Sequence, residues 1–233
     1  MNPNSDLIDC FNCVARTHPL FSQLSENELQ HVSISKITKS HPRGSIIYRE
    51  GSRISGFYCV QKGIVKIFKT GIDGKEQIIR FAKPGDLMGY RSVVSSEPAC
   101  TTTQVLEECT LCLIPTSILL NLIMTNGNFA VQLMRITCKE LGEANSFLTD
   151  IAQKTVRERL AEVLVHLHGE FGEDPAGILG ISLTREELSN IVGTATESII
   201  RLLSEFRNDG FVELKGRKIK ILDKPGLMHI ANI

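Results

Sequence analysis

The chain has 233 residues, 42% hydrophobic and 22% charged, which allows two modest domains with real cores and excludes a disordered or fibrous class. Lys and Arg total 26 against 26 Asp and Glu, so the net charge of +0 excludes bulk electrostatic attraction as the basis for a nucleic-acid partner. Met1 to Asp9 lacks the charged and apolar regions of a signal peptide, and the longest apolar run, Ile118 to Met124, is broken by Asn121, so a cytoplasmic protein without membrane attachment is expected.

Seven cysteines in a reducing compartment point away from a disulfide framework and toward buried apolar residues, metal ligands or redox thiols. Residues 1–19 carry Cys10-Phe-Asn-Cys13 and His18. Two such thiolates can converge on one metal, yet two ligands are not a site, and a pair of ordinary N-terminal cysteines is the alternative. Phe21, Leu24, Leu29 and Val32 then give a short helix capped by Ser25.

Beyond this helix, glycines punctuate a series of short alternating runs. Ser45 to Tyr48, Phe57 to Gln61, Ile64 to Lys69, Gln77 to Phe81, Thr101 to Glu107 and Thr110 to Ile114 read as short strands. Their spacing predicts an antiparallel roll over residues 20–127 with room for a small ligand. Ser117 to Met124 reads as a short helix, and a long one runs from about Phe129 through Asp150. Met134, Leu141 and Leu148, spaced by seven with Thr137, Ala144 and Ile151 between them, form a weak heptad seam over residues 128–152. A homodimer through that seam and a helix packed on its own roll are the two readings.

Residues 153–233 begin with an amphipathic helix through Val156, Leu160, Val163, Leu164 and Leu167, whose His166 and His168 fall on different faces and read as structural or exposed, not as metal ligands. Thr184 and Glu187 have capping-box spacing, Leu188 and Ile191 supply an apolar stripe, and Gly193 suits a left-handed exit. Thr194 with Glu197 repeats the cap spacing, and Ile199, Leu202, Leu203 and Phe206 share the buried face of a second helix. Thr196, Glu197, Ile200, Arg201 and Ser204 are left facing outward. Arginine can donate twice to guanine and glutamate can accept from cytosine, which makes Arg201 and Glu197 candidate base readers. An ordinary i, i+4 ion pair between them, worth about 0.3 to 0.5 kcal/mol, is the alternative. Phe211 to Leu214 and Lys218 to Leu222 then alternate as a wing hairpin. Lys215, Arg217 and Lys218, with the hydroxyls of Thr184, Thr194 and Ser198 at the helix starts, are candidate phosphate contacts, and Lys220 and Lys224 add to the basic cluster.

Gly63-Ile-Val-Lys, Pro84-Gly-Asp-Leu-Met-Gly89, Cys112-Leu-Ile-Pro115, Arg157-Glu-Arg-Leu-Ala161 and Gly193-Thr-Ala-Thr-Glu197-Ser-Ile-Ile-Arg201 together resemble the CRP/FNR family of bacterial transcription regulators over nearly the whole chain. The resemblance implies an α+β fold: a cyclic-nucleotide-binding-type β-roll, a long dimerisation helix and a C-terminal winged helix-turn-helix. It implies a homodimer on palindromic double-stranded DNA, with RNA polymerase as a further partner, and base contacts from Glu197 and Arg201. Thr196 stands where the cAMP-responsive branch has a further base-reading arginine.

The signal reads differently in the two branches. Around the candidate effector pocket at Gly89, the cAMP branch's glutamate, arginine and hydroxyl positions hold Tyr90, Cys100 and Thr101, so two of three groups are lost and cAMP in the usual pose is disfavoured. The oxygen-sensing FNR branch holds a cubic iron–sulfur cluster on cysteines. Cys10, Cys13 and Cys112 match three ligand positions, and His18 lies beside the fourth, with Cys100 and Cys109 as other donors. No nucleophile–base pair or phosphate-cradling loop suggests an enzyme. The competing function is a signalling module whose roll binds a ligand and whose helices contact only protein.

Overall fold

The computed structural model describes residues 9–233. Two compact units make up the chain. The first comprises the chain up to Gly74 with Ile78–Leu141, and the second Lys75–Gln77 with Gly142–Ile233.

In the first unit, Val14–Thr17 and Phe21–Gln23 are short 3-10 turns. Helix α1, Glu26–Ser35, starts at Ser25 with a full capping box closed by Glu28. Strands β1 (Ile37–His41), β2 (Ile46–Tyr48), β3 (Gly56–Thr70), β4 (Glu76–Ala82) and β5 (Leu87–Met88) lead to the short helix α2 (Tyr90–Ser95) and strand β6 (Thr102–Pro115). The sheet order is β1-β6-β3-β4, with β2 added to β6 and β5 to β3. Helix α3, Thr116–Thr125, and the long helix α4, Gly127–Gln153, come next.

The four strands expected over 57–69 and 101–114 are two long ones. Gly63, at φ 85°, sits at a register shift and lets β3 continue past a residue whose Cβ would strike the Glu108 carbonyl. That bulge also changes which face the side chains take. Phe57 and Cys59 pack with Cys13, Leu20, Phe21, Leu119 and Phe129. Beyond the shift, Val65 and Ile67 join Tyr48, Val60, Met88 and Leu111 in a second core.

In the second unit, helix α5, Val156–Phe171, carries a Thr155–Glu158 capping box and buries Leu160, Leu164 and Leu167. Helices α6 (Arg185–Val192) and α7 (Thr196–Asn208) are joined by a tight turn. The hairpin β7 (Val212–Lys215) and β8 (Lys218–Ile221) forms the wing. A closing helix α8, Lys224–Ala231, packs on α5, with Asp223 accepting from the Gly226 N–H at its start. Lys224 therefore belongs to this helix and not to the wing.

Candidate nucleic-acid interface and sensor site

Helix α6 begins at Thr184, whose hydroxyl accepts from the Glu187 N–H while the Glu187 carboxylate takes the Thr184 N–H. Gly193 ends it at φ 72°, ψ 51°, the left-handed conformation a non-glycine residue resists. The second cap differs from the sequence expectation. Ala195 occupies the N-cap of α7 and supplies no side-chain bond, so Thr194 does not cap and Glu197 is not held in a box. Instead the Thr196 hydroxyl lies 3.1 Å from that of Ser189, tying the start of α7 back to α6.

Ile199, Leu202, Leu203 and Phe206 are buried, which turns Glu197, Ile200 and Arg201 to the exposed face. Arg201 does not pair with Glu197. Its Nη1 donates to Glu205 Oε1 at 2.7 Å, one turn further on. Glu205 also receives Arg157 Nη1 at 3.1 Å, and Arg157 reaches Asp209 at 2.8 Å and stacks over the Phe206 ring. Sequence reasoning gave Glu205 no role and quoted Arg157 only within a motif, although the i, i+4 spacing of Arg201 and Glu205 was a usable signal.

In the wing, Lys215, Arg217 and Lys218 are exposed around the Gly216 turn, and Arg185 Nη2 donates to the Gly216 carbonyl at 2.9 Å. Lys220 is engaged elsewhere, donating to the Ala176 carbonyl at 3.0 Å. Thr184 spends its hydroxyl on the cap, Ser198 is half-buried, and the Thr194 backbone N–H bonds the Ser189 carbonyl.

Along α4, Met134, Thr137, Leu141, Ala144, Leu148 and Ile151 are all exposed. Met134, Leu141 and Leu148 are 59%, 61% and 66% accessible, an apolar row that a monomer leaves in water. An apolar groove of about 600 Å³ adjoins its first turns, lined by Tyr90, Val94, Pro98, Leu133, Met134 and Cys138.

Inside the roll, Gly89, Tyr90, Cys100 and Thr101 line one cavity of about 20 Å³, space for a single water. Tyr90 is buried beside it. Burial, and then the neighbouring Glu140 carboxylate, push its phenol up. Burial likewise pushes Tyr48 up to about 12. Glu140 from α4 reaches Arg80 at 3.5 Å and Arg91 at 3.8 Å, and Arg80 also donates to the Leu87 carbonyl at 2.8 Å. A carboxylate of the chain itself thus engages the arginines that border the cavity. Neither Arg80 nor Glu140 was marked by sequence reasoning, because their pairing joins distant segments.

The cysteines rearrange the expected ligand set. Asp9 Oδ1 accepts from the N–H groups of Phe11 and Asn12, folding the Cys10–Cys13 turn, and the Cys10 N–H donates to Ser33 Oγ at 3.2 Å. Cys13 is buried, Cys112 is buried with Thr38 Oγ1 at 3.4 Å from its sulfur, and Cys10 packs on the same core. His18 is held within its own turn and packs edge-on against Phe21. Its Nδ1 accepts from the Leu20 N–H at 3.2 Å, burial holds its imidazole below the usual range, and its charged neighbours are Asp86 and Arg80. Cys59 stands with the other cysteines instead, directly opposite Cys112 in the β3–β6 pairing. Cys109 lies in the second core, pushed up to about 11 by burial, and Cys100 is exposed at the cavity, so neither joins the group. Among the described residues, no three His, Cys, Asp or Glu side chains come close enough to hold a single metal ion.

A roll that encloses a small cavity, joined to a winged helix-turn-helix, defines a sensor-linked DNA-binding protein. The cyclic nucleotide-binding domain family matches residues 38–126 and the Crp-like helix-turn-helix domain family matches residues 158–230. The chain is 30% identical to the transcriptional activator protein FnrA of Stutzerimonas stutzeri over 81% of its own length and 78% of that protein. It is 29% identical to electron transport regulator A of Shewanella oneidensis, over 96% of this chain and 90% of that one. In fold it is similar to FixK2 from Bradyrhizobium japonicum, with a TM-score of 0.73 at 23% identity over 84% of this chain and 96% of that one. The chain belongs to the CRP/FNR family of transcription regulators. Among the described residues, no helix is long and apolar enough to cross a membrane.

Proposed function

We propose that this regulator works in the cytoplasm as a homodimer that reads a palindromic DNA site through Glu197 and Arg201 of α7, acting in transcription with RNA polymerase and carrying out no catalysis. The observation that carries this reading is the split of α7 into a buried face and an exposed face bearing Arg201, 67% accessible and held by Glu205. The Arg201 guanidinium donates to guanine O6 and N7, and the exposed Glu197 carboxylate accepts from cytosine N4. Lys215, Arg217 and Lys218 meet phosphates beside the groove and set the register. The exposed α4 row supports dimerisation, since two copies of one reader need half-sites about 34 to 36 Å apart. Binding of labelled palindromic and random duplexes at one fixed salt concentration tests the reading. Equal affinity for the two would favour a module that contacts protein only.

On the signal side, the 20 Å³ cavity and the Glu140 carboxylate against Arg80 and Arg91 argue against a cyclic nucleotide in the usual pose, since burying its phosphate beside a carboxylate would be costly. The cysteines favour an iron–sulfur cluster held by Cys10, Cys13 and Cys112. Cys13 and Cys112 are buried in one apolar core with Cys10 packed against it, and a polynuclear group takes one thiolate per iron. Such a cluster supplies sensitivity to oxygen and related oxidants when bound. The chain's part is to hold the thiolates, shield them with Leu20, Phe21 and Phe129, and anchor Cys10 to α1 through Ser33. Iron and acid-labile sulfide in protein purified without oxygen test that reading.

A further inference from the structure

Three separate segments deliver cysteines to one place in the first unit. Cys10 and Cys13 come from the N-terminal turn, Cys59 from β3 and Cys112 from β6. Cys59 and Cys112 are cross-strand partners, and Cys13, Cys59 and Cys112 are buried in one core with Cys10 packed against it. Burial pushes the Cys59 and Cys112 thiols up, and the neighbouring cysteines add to the shift. Lys36, at the end of α1, acts on both strand cysteines in the opposite sense. A lone buried cysteine is an ordinary small hydrophobe. Four converging from three segments, next to a lysine able to offset negative charge, have the composition of a ligand set.

This inference rests on the cluster reading proposed for Cys10, Cys13 and Cys112. We infer that Cys59, and not His18, completes a four-thiolate site with those three for a cubic iron–sulfur cluster. His18 already accepts at Nδ1 from the Leu20 N–H, and its charged neighbours are Asp86 and Arg80. The apolar wall suits neutral thiols before loading and a shielded cluster after it. Loading is a ligand exchange in which a cluster carried on four small thiolates transfers to the four protein sulfurs. Each cysteine passes its proton to the departing small thiolate, and neither iron nor sulfur changes oxidation state.

The full-length protein and its Cys59→Ser, His18→Ala and Cys109→Ser variants are loaded anaerobically with such a small-thiolate cluster. Iron, acid-labile sulfide and visible absorbance are then measured. The wild type, His18→Ala and Cys109→Ser are expected to hold about four irons per chain, and Cys59→Ser is expected to lose most of the iron and the absorbance. Circular dichroism of the unloaded Cys59→Ser protein checks that it folds, and His18→Ala decides the question should it not. Full loading of folded Cys59→Ser, or loss of the cluster in His18→Ala, overturns the role of Cys59 while leaving a cluster in place. A wild type that takes up no iron, or binds zinc in its stead, overturns the cluster reading and this inference together.

Discussion

Arg201 and Glu205 lie one turn apart on α7 and are joined by a 2.7 Å hydrogen bond, while Glu197, one turn the other way, leaves Arg201 free of any pairing with it. The ion pair weighed as the alternative for Glu197 and Arg201 does not form, and Arg201 pairs one turn further on. The carboxylate that holds the arginine lies toward the C-terminal end of the helix and leaves Glu197 at the exposed N-terminal end. On the proposed reading, Glu205 is a positioning residue for Arg201. Glu205→Gln should weaken binding to the palindrome about two- to fivefold, in keeping with a partly exposed ion pair worth about 0.5 to 1 kcal/mol. Affinity for random duplex should stay unchanged, which fluorescence anisotropy on both DNAs checks.

Lys218 is exposed at the start of β8, beside the Gly216 turn that Arg185 steadies. A phosphate contact carries no sequence information. Lys218→Ala should lower affinity for palindromic and random DNA by the same factor and reduce the slope of log affinity against log salt by about 0.9. A salt titration of both complexes measures it.

The row Met134, Leu141 and Leu148 is exposed on one helix. Seated in a two-stranded seam it is covered, so a charge introduced there faces its own copy. The double variant Leu141→Glu, Leu148→Glu should sediment as a monomer at concentrations where the wild type is a dimer. Its affinity for the full palindrome should fall to that for a half-site.

Two threonines that look alike in sequence should behave differently. Thr184 closes a capping box on α6, whereas Thr194 precedes an α7 whose N-cap is Ala195. Thr184→Ala should lower the stability of the second unit by about 1 kcal/mol, and Thr194→Ala should lie within about 0.5 kcal/mol of the wild type. Thermal melting of the two variants separates them.

The features legible in the sequence rest on local signals. The Thr184–Glu187 box, the Gly193 exit and the stripe Ile199, Leu202, Leu203, Phe206 are all short-range, and each falls where the spacing puts it. Thr194 and Glu197 had the same spacing, but Ala195 was equally able to take the extended N-cap conformation, and spacing alone could not choose. Strand β1 escaped notice because Ile37-Thr-Lys-Ser-His exposes its only aliphatic residue, leaving no alternation. Helix α8 was masked by Asp223-Lys-Pro-Gly, which reads as a turn although Pro225 is tolerated in a first helical turn. The strand over 57–69 looked like two because a bulge and a turn share the glycine signal at Gly63, and the one over 101–114 because Glu107-Glu108 interrupts its apolar alternation. The remaining gaps are long-range. Cys59 meets Cys112 only through the β3–β6 register, and Glu140 meets Arg80 only once α4 lies along the roll, so no spacing within either segment could reveal the pairing.

Sequence reading by α7 stands or falls on Arg201, and the affinities of wild type and Arg201→Ala for a selected palindrome and for random duplex, at one salt concentration, decide it. Arg201→Ala should lose about 1 to 3 kcal/mol of preference per half-site while keeping the affinity for random duplex that the wing supplies. Full preference for the palindrome in the folded, dimeric Arg201→Ala protein would contradict that role.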